Sequence, residues 1–348
     1  MEETAMKKRS ENEEQKIYLY KGGLSIVGKS GVGSAIRHQE QMLSETRMPV
    51  AARWKEAAIV HINTVFPDSL LASWLAKRQG KKVVYYGHST MEDFRDSFVG
   101  SNKAARLLKK WICVCYETGD VVLTPTEYSM GLLAGYGIRK PIYPLTNGVD
   151  TDFFQADKEA GKRFRDRFQI PEGKKVVISA GHFMRRKGIF DFLHTAAGMP
   201  EILFFWFGGG NRWAVPRDVK HAIRNRPANV RFPGYISQQE LKEAYCGADA
   251  FAFFSYEETE GIVVLEALSC EVPVVVRDIP VYAGWLQDGI HVYKALHDED
   301  FRQRLNQIFS GSNSEMTEAG RRLAQERGLC QTGKRLREIY RAAGICPR

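Results

Sequence analysis

Little in this chain points to the oxidising or membrane-spanning classes. Only six of its 348 residues are cysteine, and they are scattered. Cys113 and Cys115 alone lie close together, and a one-residue gap matches no common zinc or redox spacing. A disulfide scaffold is not expected; free thiols in a reducing compartment are. No apolar run approaches the length of a membrane span. Residues 1–16, MEETAMKKRSENEEQK, are too polar for a secretory signal and read as a disordered extension. Neither sign of charge dominates: 50 Lys and Arg face 41 Asp and Glu, for a net +9. Residues 1–150 carry +5 and residues 151–348 carry +4, so neither half is a basic module. Zinc-finger spacing and RNA-binding aromatic signatures are missing, so nucleic acid is not an expected partner. There is no repeat of solenoid length and no metal-ligand cluster, and no metal or cofactor is expected.

What the chain does have is strand–helix alternation, twice over. At roughly 150 residues per domain, 348 residues suggest two domains. Apolar runs at 17–20, 57–62, 83–86, 120–125 and 141–145 read as strands, with helical patterns between them. Runs at 176–179, 202–207, 230–233, 249–255 and 273–276 repeat the scheme. The expected class is α/β: two Rossmann-like, doubly wound domains facing across a cleft. The first domain is placed at 17–150, a polar linker at 151–174, the second domain at 175–330 and a last helix in 331–348.

In such sheets, ligands bind at loops that follow the carboxyl ends of strands. The stretch 256–267, YEETEGIVVLEA, is such a loop running into a helix, with Glu258 and Glu266 eight residues apart. Gly261 stands at the expected helix start, followed by Ile262 and Val263. A helix start offers unpaired N–H groups to a phosphate or a sugar hydroxyl. Glu266, further along that helix, can accept bonds from a diol such as a ribose. Two glutamates at this spacing recur by chance, so their setting carries the weight.

Residues 23–30, GLSIVGKS, fit the P-loop pattern, which makes a nucleotide triphosphatase one reading. Gly31, Val32 and Gly33 then follow, and the helical pattern starts at Ser34, too late for a true P-loop. Gly31 and Gly33 suit close approach of backbone to an anion instead. His88 stands just past a strand's carboxyl end, placed to point into a cleft. Residues 101–115, SNKAARLLKKWICVC, hold no acid. Lys103, Arg106, Lys109 and Lys110 beside Trp111 and its apolar neighbours suit an anionic membrane surface or a solvated helix face.

The strings KSGVGSAIRHQ, YYGHSTMEDFRDSFVGSN, TNGVDTDFF, RRKGIFDF and ETEGIVVLEA together resemble the retaining family-4 glycosyltransferases of GT-B fold. Within that family they are similar to the diacylglycerol glycolipid glycosyltransferases of Gram-positive bacteria. The resemblance covers the chain from about Ile17 onward. It implies a UDP-hexose donor, UDP-glucose or UDP-galactose, with anomeric retention. It implies a glycolipid acceptor, monoglucosyldiacylglycerol, and a cytoplasmic enzyme held peripherally at the inner face of the plasma membrane. By the same resemblance Lys187, with Arg186 or Arg185, holds the diphosphate, and His182 stands where the family has Arg. Ile236 touches the base, Glu258 faces the donor sugar and Glu266 the ribose. The glycines Gly31 and Gly33 face the diphosphate, His38 lies on the acceptor side, and His88, near the donor sugar and the acceptor, is expected to be catalytic together with Glu258. Thr259 and Glu260 depart from the family's commoner Gly-Phe and put an extra carboxylate in the acceptor region. A polysaccharide or soluble acceptor is the alternative within the family.

Overall fold

The computed structural model describes residues 15–24, 28, 30–210 and 213–345. Most of the extension at 1–16, and Lys29 within the P-loop-like string, lie outside the described residues. Two compact units form. The first comprises 1–90, 107–147 and 329–348, and the second 91–106 and 148–328.

In chain order the first half runs β1 (Ile17–Tyr20), α1 (Gly31–Glu45), β2 (Ile59–Ile62), α2 (Pro67–Arg78) and β3 (Lys82–Tyr86). Then come α3 (Met91–Phe94), α4 (Ser101–Tyr116), β4 (Val121–Thr124), α5 (Glu127–Gly135) and β5 (Ile142–Pro144). The five strands are parallel and lie in sequence order. One residue reverses the winding: Val50 bridges Ile17 in parallel. The side chains then sort by the period of two. Ile59, Val84, Tyr86, Val121 and Leu123 face α1 and the last helix, α13 (Leu329–Ala342). Val60, Ile62, Val83, Tyr85 and Val122 face α2 and α4.

The second unit runs α6 (Lys158–Arg167), β6 (Val176–Ala180), α7 (Ile189–Ala197), β7 (Leu203–Phe207), α8 (Arg217–Arg224) and β8 (Val230–Gly234). It continues through α9 (Gln238–Gly247), β9 (Ala250–Phe253), α10 (Ile262–Ser269), β10 (Val274–Arg277), β11 (Tyr293–Ala295), α11 (Asp298–Ser310) and α12 (Ser314–Glu326). Its six parallel strands order as β11-β10-β9-β6-β7-β8. The winding therefore reverses between β6 and β9, which pair through Val177–Ala250 and Ile178–Phe251. The loops leaving those two strands flank the switch point, where open sheets place ligands.

Three boundaries differ from the sequence reading. Residues 91–106 group with the second unit, because Asp93, Asp96 and Ser97 are bound to Arg186. Residues 151–174 are no linker: α6 packs on α9, and Arg165 binds Asp249 at 2.8 Å. Helix α1 starts at Gly31, not Ser34, since burial of Gly33, Ala35 and Ile36 outweighs glycine's poor propensity.

Candidate active site at the sheet switch point

The loop after β6 delivers Arg186 and Lys187, and Gly188 lets it pass close to the loop after β9. Gly188 has φ 75°, and a Cβ there would collide with the Phe254 carbonyl. The backbones then knit together: Tyr256 N–H donates to Arg186 O at 2.8 Å. Across this join the Lys187 ammonium pairs with Glu258 Oε1. Arg186 Nη1 sits 3.7 Å from the same oxygen and 2.9 Å from Asp93 Oδ1. Arg186 Nε donates to Ser97 Oγ at 3.1 Å, and Nη1 donates to Glu257 O at 2.6 Å.

Two cations and two carboxylates are thus gathered with little water, since the side chains of Arg186 and Glu258 are only 8% and 9% exposed. Burial works against ionised Glu258, but the charges of Lys187 and Arg186, with hydrogen bonds from Lys187 and Ser255, outweigh it and hold its pKa below the usual range. Asp93 goes the other way: burial raises its pKa and Glu258 adds to this, with Arg186 pulling against both.

Helix α10 begins beside this cluster. Its N-cap is Gly261 at φ 93°, and no side chain caps it. A Cβ at Gly261 would come within 2.9 Å of the Tyr282 hydroxyl, so both conformation and space require glycine. The first N–H groups of α10, led by Ile262 and Val263, therefore carry no side-chain cap, a setting that favours an anion. Glu266 lies one turn on, 3% exposed, and accepts from the Tyr245 hydroxyl at 3.1 Å.

His182 adds no positive charge to this cluster, since burial and then the charges of Lys187 and Arg186 disfavour its protonated form. Burial lowers its pKa, and its Nδ1 bonds Gly209 O at 2.9 Å, tying the loop after β6 to the loop after β7. Arg185 is turned away to Asp218 at 2.7 Å. Arg186 is therefore the arginine in the cluster. Glu260 is 1% exposed and lies 4.0 Å from Arg327, so it is an internal charge and not an open acceptor contact. Ile236 is half-buried just past β8.

The first unit gathers its own polar group. Gln39 and Asn63 exchange two amide hydrogen bonds, at 2.6 and 3.0 Å, and His88 Nε2 meets Asn63 Oδ1 at 2.9 Å. His38 is buried on α1. A Cβ at Gly31 would meet nothing within 4 Å, so no described atom demands glycine there. The ends of β2 and β3 carry Asn63 and His88, and Asp68, beside Gly22 in the loop after β1, accepts from the Tyr20 hydroxyl at 3.0 Å.

Helix α4 corrects one residue. Trp111 is half-buried against the core, and its indole N–H donates to Val65 O at 2.5 Å, so it is not a surface anchor. Lys109 is half-buried over the Tyr136 ring at 4.3 Å, while Lys103, Arg106 and Lys110 are exposed. The sequence missed Asp93, Ser97, Gln39 and Asn63. Asn63 had a signal: it follows β2 as His88 follows β3.

Residues 161–324 match the family description "Glycosyl transferases group 1", and residues 29–153 match "Glycosyltransferase Family 4". The chain is 36% identical to the processive diacylglycerol alpha-glucosyltransferase of Acholeplasma laidlawii, over 93% of this chain and 97% of that one. The chain belongs to the family-4 glycosyltransferases. This glycosyltransferase is also 28% identical to the alpha-galactosylglucosyldiacylglycerol synthase of Streptococcus pneumoniae, over 78% of this chain and 75% of that one. Its fold is GT-B: Anabaena HepE, solved with UDP and glucose, superposes with a TM-score of 0.74 at 14% identity, over 95% of this chain and 100% of that one. Sucrose-phosphate synthase from Thermosynechococcus elongatus gives 0.69 at 16% identity, over 89% of this chain and 78% of that one. The hexosyltransferase assignment follows from the relatives. No described helix is long and apolar enough to cross a membrane.

Proposed function

We propose that this glycosyltransferase moves a hexosyl group from UDP-glucose or UDP-galactose to monoglucosyldiacylglycerol, with retention, at the surface of an anionic membrane. The observation that carries the donor half is the Arg186–Lys187–Glu258 cluster beside the uncapped start of α10. A diphosphate needs neutralising charge, and two cations plus a helix start supply it. The acceptor half rests on the relatives, which are named for diacylglycerol glycolipids.

In the reaction the bond from the anomeric carbon to the diphosphate breaks. The acceptor hydroxyl bonds that carbon on the face the diphosphate leaves, and its proton passes to a leaving phosphate oxygen. Lys187, Arg186 and the N–H groups of Gly261, Ile262 and Val263 stabilise the developing negative charge. When the diphosphate takes over Lys187, the Glu258 carboxylate loses its partner and favours positive charge at the anomeric carbon. Glu266 holds the ribose and Ile236 the base. Gly31 and Gly33, at the start of α1, are donor-binding positions, and His38 and His88 serve the sugars. Lys103, Arg106, Lys109 and Lys110 supply attraction to an anionic leaflet from the peripheral, cytoplasmic side.

The test is incubation with each labelled UDP-hexose and with monoglucosyldiacylglycerol, diacylglycerol or a soluble glucoside, the lipids in anionic vesicles. Label in diglycosyldiacylglycerol supports the reading. Transfer to the soluble glucoside alone overturns it.

A further inference from the structure

Helix α2 turns its small residues inward and its large apolar ones outward. Ser69, Ala72, Ser73 and Ala76 are buried against the first sheet. Leu71, Trp74 and Leu75 are 55%, 47% and 39% exposed. A helix that only packs would place its large residues on the sheet, so the outer stripe asks for a partner.

The stripe is continuous and charged at one end. Positions 71, 74, 75 and 78 follow the spacing of one helix face. The Arg78 guanidinium lies 3.9 Å over the Trp74 ring, and Lys82 at the start of β3 is exposed, while Lys77 is paired with Asp120 at 3.1 Å. The helix's one acid, Asp68, is at the other end and accepts from the Tyr20 hydroxyl at 3.0 Å. Helix α4 covers the same sheet face through Ile112 and Cys115, and it exposes Leu107, Lys110 and Val114. Leucine and tryptophan with arginine and lysine is the composition of an element lying in a lipid interface.

We propose that α2 is a lipid-contacting element: Leu71, Trp74 and Leu75 enter the headgroup–acyl boundary of an anionic bilayer, with Arg78 at the phosphates. This rests on the reading that the acceptor is a membrane lipid. It moves the apolar anchor from Trp111, which the core holds, to Trp74. Insertion then acts through α2 and most of the charge attraction through α4, and salt separates them, because it screens charge and leaves apolar transfer in place.

The experiment compares wild type with Leu71→Ser/Trp74→Ser/Leu75→Ser and with Lys103, Arg106, Lys109 and Lys110→Ser. Sedimentation uses phosphatidylglycerol–phosphatidylcholine vesicles at low and high salt. The apolar triple should bind at least tenfold more weakly at both salts, with unchanged melting and UDP titration. The charge variant should differ from wild type at low salt only. Independently, brominated lipid should quench wild-type fluorescence more than that of Trp74→Phe. Equal sedimentation of triple and wild type, or equal quenching, overturns the proposal. So does a wild-type dimer in light scattering that the triple converts to monomer, since the stripe would then join two copies of the chain. Binding is read without catalysis, so failure of transfer to glycolipid would sink the functional reading and not this one.

Discussion

His88 Nε2 and Asn63 Oδ1 meet at 2.9 Å, and with the amides so oriented that bond makes Nε2 the protonated nitrogen. Gln39 Nε2–H donates to the same oxygen at 2.6 Å, and Asn63 Nδ2–H returns a bond to Gln39 Oε1 at 3.0 Å. The imidazole Nδ1 is then the unprotonated, accepting nitrogen. Burial lowers the His88 pKa to about 4, so the ring is neutral at working pH. Tyr86 stacks on it at 5.8 Å, and no charged side chain contributes to its shift.

The first prediction concerns that tautomer. Imidazole 15N shifts should show protonated Nε2 and bare Nδ1, and they also decide the amide orientation. Asn63→Asp replaces a neutral acceptor with a carboxylate and should raise the His88 pKa. Turnover of that variant should then fall below about pH 7, over a range where wild type is flat; an unchanged profile removes Asn63 from the site.

Lys187 and Glu258 should behave as one unit. Lys187→Met leaves a buried carboxylate without its main partner, which costs about 3–5 kcal/mol for such pairs, while Lys187→Met with Glu258→Gln should recover most of that stability. UDP affinity should drop in both, by about 1.5–3 kcal/mol for one charge-assisted contact. Denaturant melts and calorimetric titration separate the two effects. If UDP bound equally well to a folded Lys187→Met, the diphosphate role would be wrong.

The two glutamates should differ in kinetics. Glu258→Gln should lower kcat, because its charge matters most once positive charge develops at the sugar. Glu266→Gln should mainly raise the donor KM, its carboxylate lying inside α10 beside Tyr245. Raised KM alone in both variants would contradict this division.

Acid should loosen the first unit. His61 and His88 are both buried, and burial lowers their pKa values to about 3 and about 4 from 6.5. The unfolded chain thus takes up protons first, so this stability is complete above about pH 6.5 and is lost as pH falls toward 4 and 3. Urea midpoints should decline across that window, and His61→Asn should flatten the decline. A midpoint constant from pH 7 to 4 would rule this out.

Part of this protein was legible before its structure. The strand–helix alternation, the two sheets and the position of Gly261 at a helix start follow from local rules of periodicity and backbone freedom, which neighbouring residues carry. Glu258 and Glu266 were singled out because a motif spaces them along one strand–loop–helix unit, and Lys187 because its Lys-Gly string resembles the family's. Asp93 and Ser97 were missed because they lie roughly ninety residues from Arg186 in sequence, and nothing local announces such a pairing. Trp111 was read outward for a related reason. A helix with apolar residues on more than one side has several candidate inner faces, and its own pattern ranks them poorly.

The sequence by itself determined the elements, their order and the residue types available for the chemistry. Only the tertiary structure decided which arginine joins Glu258, which tryptophan meets solvent and which unit holds residues 91–106. Those choices depend on contacts between residues far apart in the chain. They are settled by which faces can be buried together once both sheets are assembled.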